Sequence, residues 1–250
     1  MHLLKNVLLF CLPLCLLFSQ CIAAEVQVAV AANFAAPMKQ IAEEFNKSTG
    51  HKAILAIGST GKFYAQIVNG APFDVFLAAD DETPVRLAKE GAAIEDTRFT
   101  YATGRLVLWS AKTQLVDEKA AVLSRHDFRH LAIAAPKLSP YGAASLQVLN
   151  KIGMLPALQG KLVTGDSIGQ VFSMVSSGNA ELGFVAMSQV FEAGRLKSGS
   201  AWLVPVSLHG PLRQDAVLLL RAKNNPAALQ LLAFLKSAQA KAIMTSFGYE

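Results

Sequence analysis

No cysteine lies beyond residue 21 of the 250-residue chain, because Cys11, Cys15 and Cys21 all fall within the first 24 residues. Everything downstream is therefore without a disulfide framework, a zinc–thiolate site or a cysteine nucleophile. Charge is scarce as well, at 16% of residues against 52% apolar. That balance excludes a disordered tail or a coiled coil, both of which need many more charged residues. Beyond the leader no apolar run reaches the ~18 residues of a membrane span, and there is neither a repeat nor a low-complexity linker.

What is present begins with the leader itself. Lys5 is its one charged side chain, residues 7–18 are apolar, and Ile22-Ala23-Ala24 supplies a small-residue exit. This pattern reads as a secretory signal over residues 1–24, cleaved near Ala24. Gln20 is too large for a lipid-attachment motif at Cys21. Losing Lys5 with the leader lowers the formal charge from +5 to +4, and the Lys and Arg residues are scattered. Nucleic acid is excluded as a partner on both counts.

The exported part reads as an α/β fold. Apolar runs at 26–31, 53–57, 75–78, 106–110, 131–135 and 182–185 have the two-faced apolar character of buried parallel strands. Between them, Met38, Ile41, Ala42 and Phe45 repeat at helical spacing, as do Tyr64, Ile67 and Val68, and Val171, Met174 and Val175. Gly70, Gly153 and Gly178 stand where those helices should stop. Residues 226–247 read as one closing helix, with Leu231, Phe234, Leu235, Ala238 and Ala242 on its packed face.

Three motifs invite catalytic readings and fail. Gly58-Ser-Thr-Gly-Lys62 is an incomplete phosphate loop: Ala56 and Phe63 stand where glycine and a magnesium-binding hydroxyl are needed. Gly165-Asp-Ser167-Ile-Gly169 matches a nucleophile elbow, and Glu192 and His209 follow in the order of a serine hydrolase. No glycine-rich oxyanion motif accompanies it. His126-Asp-Phe-Arg-His130 lacks a third ligand and reads as solvated loop or short helix rather than a metal site.

One feature recurs. At Ala31-Ala-Asn33, Gly58-Ser-Thr60, Pro140-Tyr-Gly142 and Asp166-Ser-Ile168 a strand or loop passes into a helix through small or hydroxyl residues. Each such start leaves N–H donors unpaired and carries partial positive charge. In open α/β sheets these starts gather beyond the strand carboxyl ends, where ligands bind. Four together describe an anion pocket made of neutral donors. Tyr141, Phe34 and Trp109, taken singly, read as core aromatics.

Val28-Ala-Val-Ala-Ala-Asn33-Phe34, Gly58-Ser-Thr-Gly-Lys62, the run from Gly70-Ala-Pro-Phe to Ala79-Asp80, and Tyr141-Gly-Ala-Ala144 together resemble the periplasmic molybdate-binding proteins of bacterial ABC importers. The resemblance covers essentially all of the exported chain. It implies a two-lobed periplasmic-binding-protein fold of type II, with two crossover strands as hinge near 103–106 and 213–216. One lobe would hold 25–104 and 212–250, the other 105–211. It further implies a monomer that binds molybdate or tungstate, needs no cofactor and catalyses no reaction. Its partner would be the membrane permease. Carried over by position, the ligand contacts fall on Asn33, Ser59, Tyr141 and Ile168. Asn33 would donate through amide and backbone, Ile168 through its N–H alone. Some relatives carry tyrosine where this chain has Ala186, so Tyr141 becomes the candidate phenol donor. Lys62 is expected to be solvated. The alternatives left open are a sulfate- or phosphate-binding protein of the same fold and a secreted hydrolase using Ser167.

Overall fold

The computed structural model describes residues 24–250, so the expected signal segment lies outside the described residues except for Ala24. In chain order the main elements are β1 (Glu25–Ala31), α1 (Ala35–Thr49), β2 (Lys52–Gly58), α2 (Thr60–Val68), β3 (Val75–Leu77), α3 (Glu82–Lys89) and β4 (Ala93–Gly104). Then come β5 (Leu106–Ser110), α4 (Val122–Arg125), β6 (Leu131–Ala134), α5 (Pro140–Lys151), α6 (Leu155–Leu158), β7 (Leu162–Gly165) and α7 (Ile168–Ser176). They are followed by β8 (Leu182–Ala186), α8 (Met187–Val190), β9 (Phe191–Glu192), β10 (Arg195–Leu196), β11 (Ser200–Leu203), β12 (Leu212–Leu219), α9 (Pro226–Leu235) and α10 (Ala238–Ser246).

Two five-stranded mixed sheets result, ordered β2-β1-β3-β12-β4 and β11-β5-β8-β6-β7. The chain leaves the first sheet at the end of β4, passes through Arg105 into β5 of the second, and returns at Leu212 to start β12. Two segments thus join two α/β lobes. In the first sheet β1 runs parallel to both β2 and β3, and in the second β6 runs parallel to both β7 and β8. The carboxyl ends of each parallel trio therefore lie along one edge, and the helix starts that follow them line the gap between lobes.

Both faces of the first sheet are covered, as its pleat shows. Val28 and Val30 of β1 join the core under α1, α9 and α10, whereas Ala29 between them joins Phe63, Phe76 and Leu87 on the other face. Alternate residues of a strand point to opposite faces, so every residue of β1 past Gln27 is buried. The helix faces follow suit. Met38, Ile41 and Phe45 of α1 are buried. In α2 the buried pair is Phe63 and Ile67, while Val68, expected on that face, is 44% exposed. Gly70, Gly153 and Gly178 all have positive φ, as helix-stopping glycines do.

Two expectations need correction, and one strand was not expected. The 106–110 run is not a parallel strand: β5 pairs antiparallel on both sides, with β8 and β11. Residues 226–247 form two helices, because Ser237 adopts an extended conformation and caps α10 by accepting from the Ala240 N–H at 3.2 Å. Strand β4 escaped notice because it alternates with polar residues such as Glu95, Asp96 and Arg98. It exists through its long antiparallel ladder with β12.

Gly142 in the first turn of α5 packs so closely on β6 that a Cβ there would overlap the Ala134 carbonyl. Gly142→Ala should lower stability by ~1–3 kcal/mol, the usual cost of overpacking, read as a reduced urea midpoint with unchanged slope.

Candidate functional site

Between the two strand edges lies a small cavity with about 160 Å³ not filled by protein atoms. Ala31, Ala32 and Asn33 wall it from the end of β1, Gly58, Ser59 and Thr60 from the end of β2, and Ala79 from beyond β3. The other lobe contributes Ser139 and Ile168, at the starts of α5 and α7. None of these residues is charged. A space this small suits a single compact ion rather than a sugar or nucleotide.

The helix starts explain why an anion belongs there. Ser59 caps α2 in an extended conformation, yet its side chain makes no capping bond. Its Oγ is buried and, among the described residues, has no hydrogen-bond partner. A buried hydroxyl without a partner costs ~1–3 kcal/mol, a cost that an acceptor entering the cavity would relieve. Ile168 is the first residue of α7, where no intrahelical acceptor exists for its N–H. Ser139 caps α5, again with no side-chain capping bond. Thr60 is different: its Oγ1 accepts from the Ala79 N–H at 3.0 Å and ties β3 to the site.

Behind this wall lies a buried polar network. The Asn33 amide donates both its hydrogens, to Gln214 Oε1 at 2.8 Å and Tyr249 Oη at 3.0 Å. Asn33's carbonyl accepts from Ser188 Oγ at 2.7 Å and Tyr249 Oη at 2.9 Å. The expectation that the Asn33 amide donates to a ligand is therefore corrected: its donors are committed, and only its backbone N–H remains. The phenol of Tyr141 also points elsewhere, accepting from Gln214 Nε2 at 3.2 Å. Tyr141 does not line the cavity; its place in the wall is taken by Ser139. Ala186 is no contact either, since its N–H donates to Gln189 Oε1 at 2.9 Å. Of the four expected residues, the structure brings Asn33, Ser59 and Ile168 to the cavity and leaves Tyr141 outside its lining, two residues along α5 from Ser139.

Sequence reasoning missed Ser139, Gln214 and Tyr249. Ser139 carried a usable signal, a hydroxyl residue just before proline at a helix start. Gln214 and Tyr249 reach the site only through tertiary structure. Burial pushes the phenols of Tyr101 and Tyr141 well up and that of Tyr249 to about 12, so all three stay neutral below pH 10. Phe34 holds two of them, with ring centroids 4.6 Å from Tyr101 and 5.3 Å from Tyr249.

The lobes meet around the cavity. The Gly61 N–H donates to the Leu138 carbonyl at 2.9 Å, and Lys62 Nζ lies 2.6 Å from Asp166 Oδ2. Lys62 is solvated as expected, its side chain about half exposed, and it forms a surface pair with Asp166. A wider groove adjoins the cavity, lined by Asp80, Asp81 and Glu82 together with Lys137 and Arg213, and Arg213 is already paired with Asp81 at 2.7 Å, so the groove has no excess of positive charge to draw an anion. Neither catalytic reading gains support. Ser167 Oγ caps α7, accepting from the Gln170 N–H at 3.3 Å, while His209 Nδ1 lies 2.6 Å from the Gly210 carbonyl. Among the described residues, no group of three or more His, Cys, Asp or Glu is placed to hold a metal ion.

Two lobes joined by two crossings, closing on a cavity of neutral donors, define a solute-binding protein that takes up a small anion. Residues 26–250 match the bacterial extracellular solute-binding protein family, and the chain belongs to it. It is 58% identical to the molybdate-binding protein ModA of Azotobacter vinelandii, over 91% of this chain and 90% of that protein. Identity to the molybdate-binding protein ModA of Rhodobacter capsulatus is 49%, over 91% of this chain and 88% of that one. The solved structure of the Azotobacter vinelandii periplasmic molybdate-binding protein superposes with a TM-score of 0.87, covering 90% of this chain and 98% of that chain at 42% identity.

Two measurements probe the network. Asn33→Asp should weaken anion binding far more than Asn33→Ala, because it puts a buried carboxylate against Gln214 Oε1 and beside an otherwise uncharged cavity. Repulsion of ~4 kcal/mol per unit charge at ~4 Å makes the expected gap above a hundredfold in Kd by titration calorimetry. Raised phenol pKa values stabilise the fold below the unfolded value near 10, and that contribution is lost as pH rises toward about 12. Melts between those pH values should show roughly 2–3 kcal/mol lost per phenol shifted by two pH units, with part of the loss absent in Tyr249→Phe.

Proposed function

We propose that this protein captures molybdate, and tungstate equally because the ions are nearly the same size, and delivers it to the membrane permease of an ABC importer. The observation that carries the reading is the Ser59 hydroxyl, buried and unpartnered in a cavity with no charged wall. Ser59 donates from its side chain, and Asn33, Tyr141 and Ile168 donate from backbone N–H groups at three further helix starts. Ser139 adds a second hydroxyl. The protein is exported to the periplasm with residues 1–24 removed, acts as a monomer, and closes 25–104 with 212–250 against 105–211. The names of the two relatives above support the choice of ion.

The chemistry is binding and release, with no bond made or broken. Hydrogen bonds to a charged acceptor contribute ~1.5–3 kcal/mol each. A handful reaches the ~−12 kcal/mol of nanomolar binding once desolvation and closure are subtracted. The wall holds no carboxylate to accept a proton, so a protonated phosphate would have to place its O–H on a hydroxyl or carbonyl oxygen, a weaker acceptor than a carboxylate. Closure excludes water and gives the permease a shape that differs from the empty form.

Competition calorimetry with molybdate, tungstate, sulfate and phosphate tests this reading. Molybdate and tungstate should displace one another and outcompete sulfate, with phosphate weakest. Ser59→Ala should cost molybdate ~10–150-fold, the equivalent of one charge-assisted bond. Sulfate binding tighter than molybdate would overturn the assignment.

A further inference from the structure

We infer that Gln214 is the positioning residue that couples the two lobes at the anion site, through a hinge-borne amide that bonds one cavity wall to the opposing helix start. This rests on the anion-binding reading above. Gln214 lies on β12, two residues into the returning hinge segment, and is wholly buried. Both ends of its amide are engaged. Its Oε1 accepts from Asn33 Nδ2 at 2.8 Å and from Tyr101 Oη at 2.9 Å, within the lobe that carries Ser59. Its Nε2 donates to Tyr141 Oη at 3.2 Å, in the first turn of α5 on the other lobe.

A second observation, on the other hinge segment, points the same way. Gly104 ends β4 opposite the start of β12, pairing with Leu212. A Cβ at Gly104 would overlap the Tyr141 hydroxyl and come within 2.6 Å of Gln214 Nε2. The hinge backbone thus closes over this hydrogen bond with no room for any side chain. Both hinge strands meet at the same amide–phenol contact, which lies outside the cavity lining.

The consequence is mechanical. Asn33 offers the anion a backbone N–H, and its orientation is held by the bond to Gln214. Tyr141 places the start of α5, with its own N–H and the adjoining Ser139 hydroxyl, and its phenol is held by the same Gln214. One glutamine therefore sets the spacing between donors from the two lobes. Neither Gln214 nor the Tyr141 phenol lines the cavity, so any effect of changing them on affinity acts through this spacing.

The test is a double-mutant cycle in the full exported protein, with molybdate Kd by calorimetry and melting of the unliganded form. Gln214→Met keeps the volume and removes both ends of the amide, and Tyr141→Phe removes only the hydroxyl. Each should raise Kd at least tenfold. The double variant should bind no worse than about the weaker single, because both break one coupling. Kd unchanged within threefold, with only the melting temperature lowered, would reduce Gln214 to scaffold and overturn the inference. Losses that multiply in the double variant would overturn it too. If Gln214→Met fails to fold, Tyr141→Phe alone decides by the same threefold limit. Wild-type protein that does not bind molybdate would instead sink the anion reading, a distinct outcome.

Discussion

A small dianion held in a cavity without a counter-charge is the constraint on which the rest of the structure depends. Burying a charge is costly unless hydrogen bonds replace its hydration. Lysine or arginine would supply them, but the cavity wall holds neither. What remains is the supply of unpaired donors at helix starts, and that supply dictates architecture. Helix starts converge only where parallel strands end on a common edge, so each lobe needs its trio of parallel strands. Two such edges must then face each other, so the chain crosses twice.

The hinge meets a second demand. Backbone N–H groups have no freedom of their own, and they are aimed only as well as the segments that carry them. The buried network of Asn33, Gln214, Tyr101, Tyr141, Tyr249 and Ser188 fixes that aim with hydrogen bonds that do not reach the ligand. A fully satisfied buried network rigidifies its surroundings because leaving any member unpaired is costly. Residues from both lobes, both hinge strands and the segment beyond α10 end in this one cluster. Rigidity and closure are therefore one property of the same side chains. The exposed Lys62–Asp166 pair adds little by comparison, since such pairs contribute ~0–1 kcal/mol.

The α/β class and the core strands were legible in sequence because burial on both faces leaves unbroken apolar runs, as at 26–31 and 131–135. Strand β4 was not, because its register comes from its pairing with β12 rather than from its own composition. The break at Ser237 was overlooked because apolar periodicity continues across it while the N-cap stops the helix. In the site, Ser59 and Ile168 were legible as residues at helix starts, a local signal. The use of the Asn33 amide was misjudged for a reason no local pattern reveals: its partners lie 181 and 216 residues away in the chain. Side-chain roles set by distant partners belong to the fold. Backbone donors set by helix starts belong to the sequence.

The most direct test of the central claim is a crystal structure of the molybdate complex, with molybdenum located by its anomalous scattering. The account predicts one peak in the cavity between Ser59 and Ile168. The oxygens should lie within hydrogen-bond distance of the Ser59 hydroxyl and of backbone N–H groups from both lobes, with no Lys or Arg nitrogen in contact. A peak in the neighbouring groove, or an oxyanion held by a cationic side chain, would contradict it.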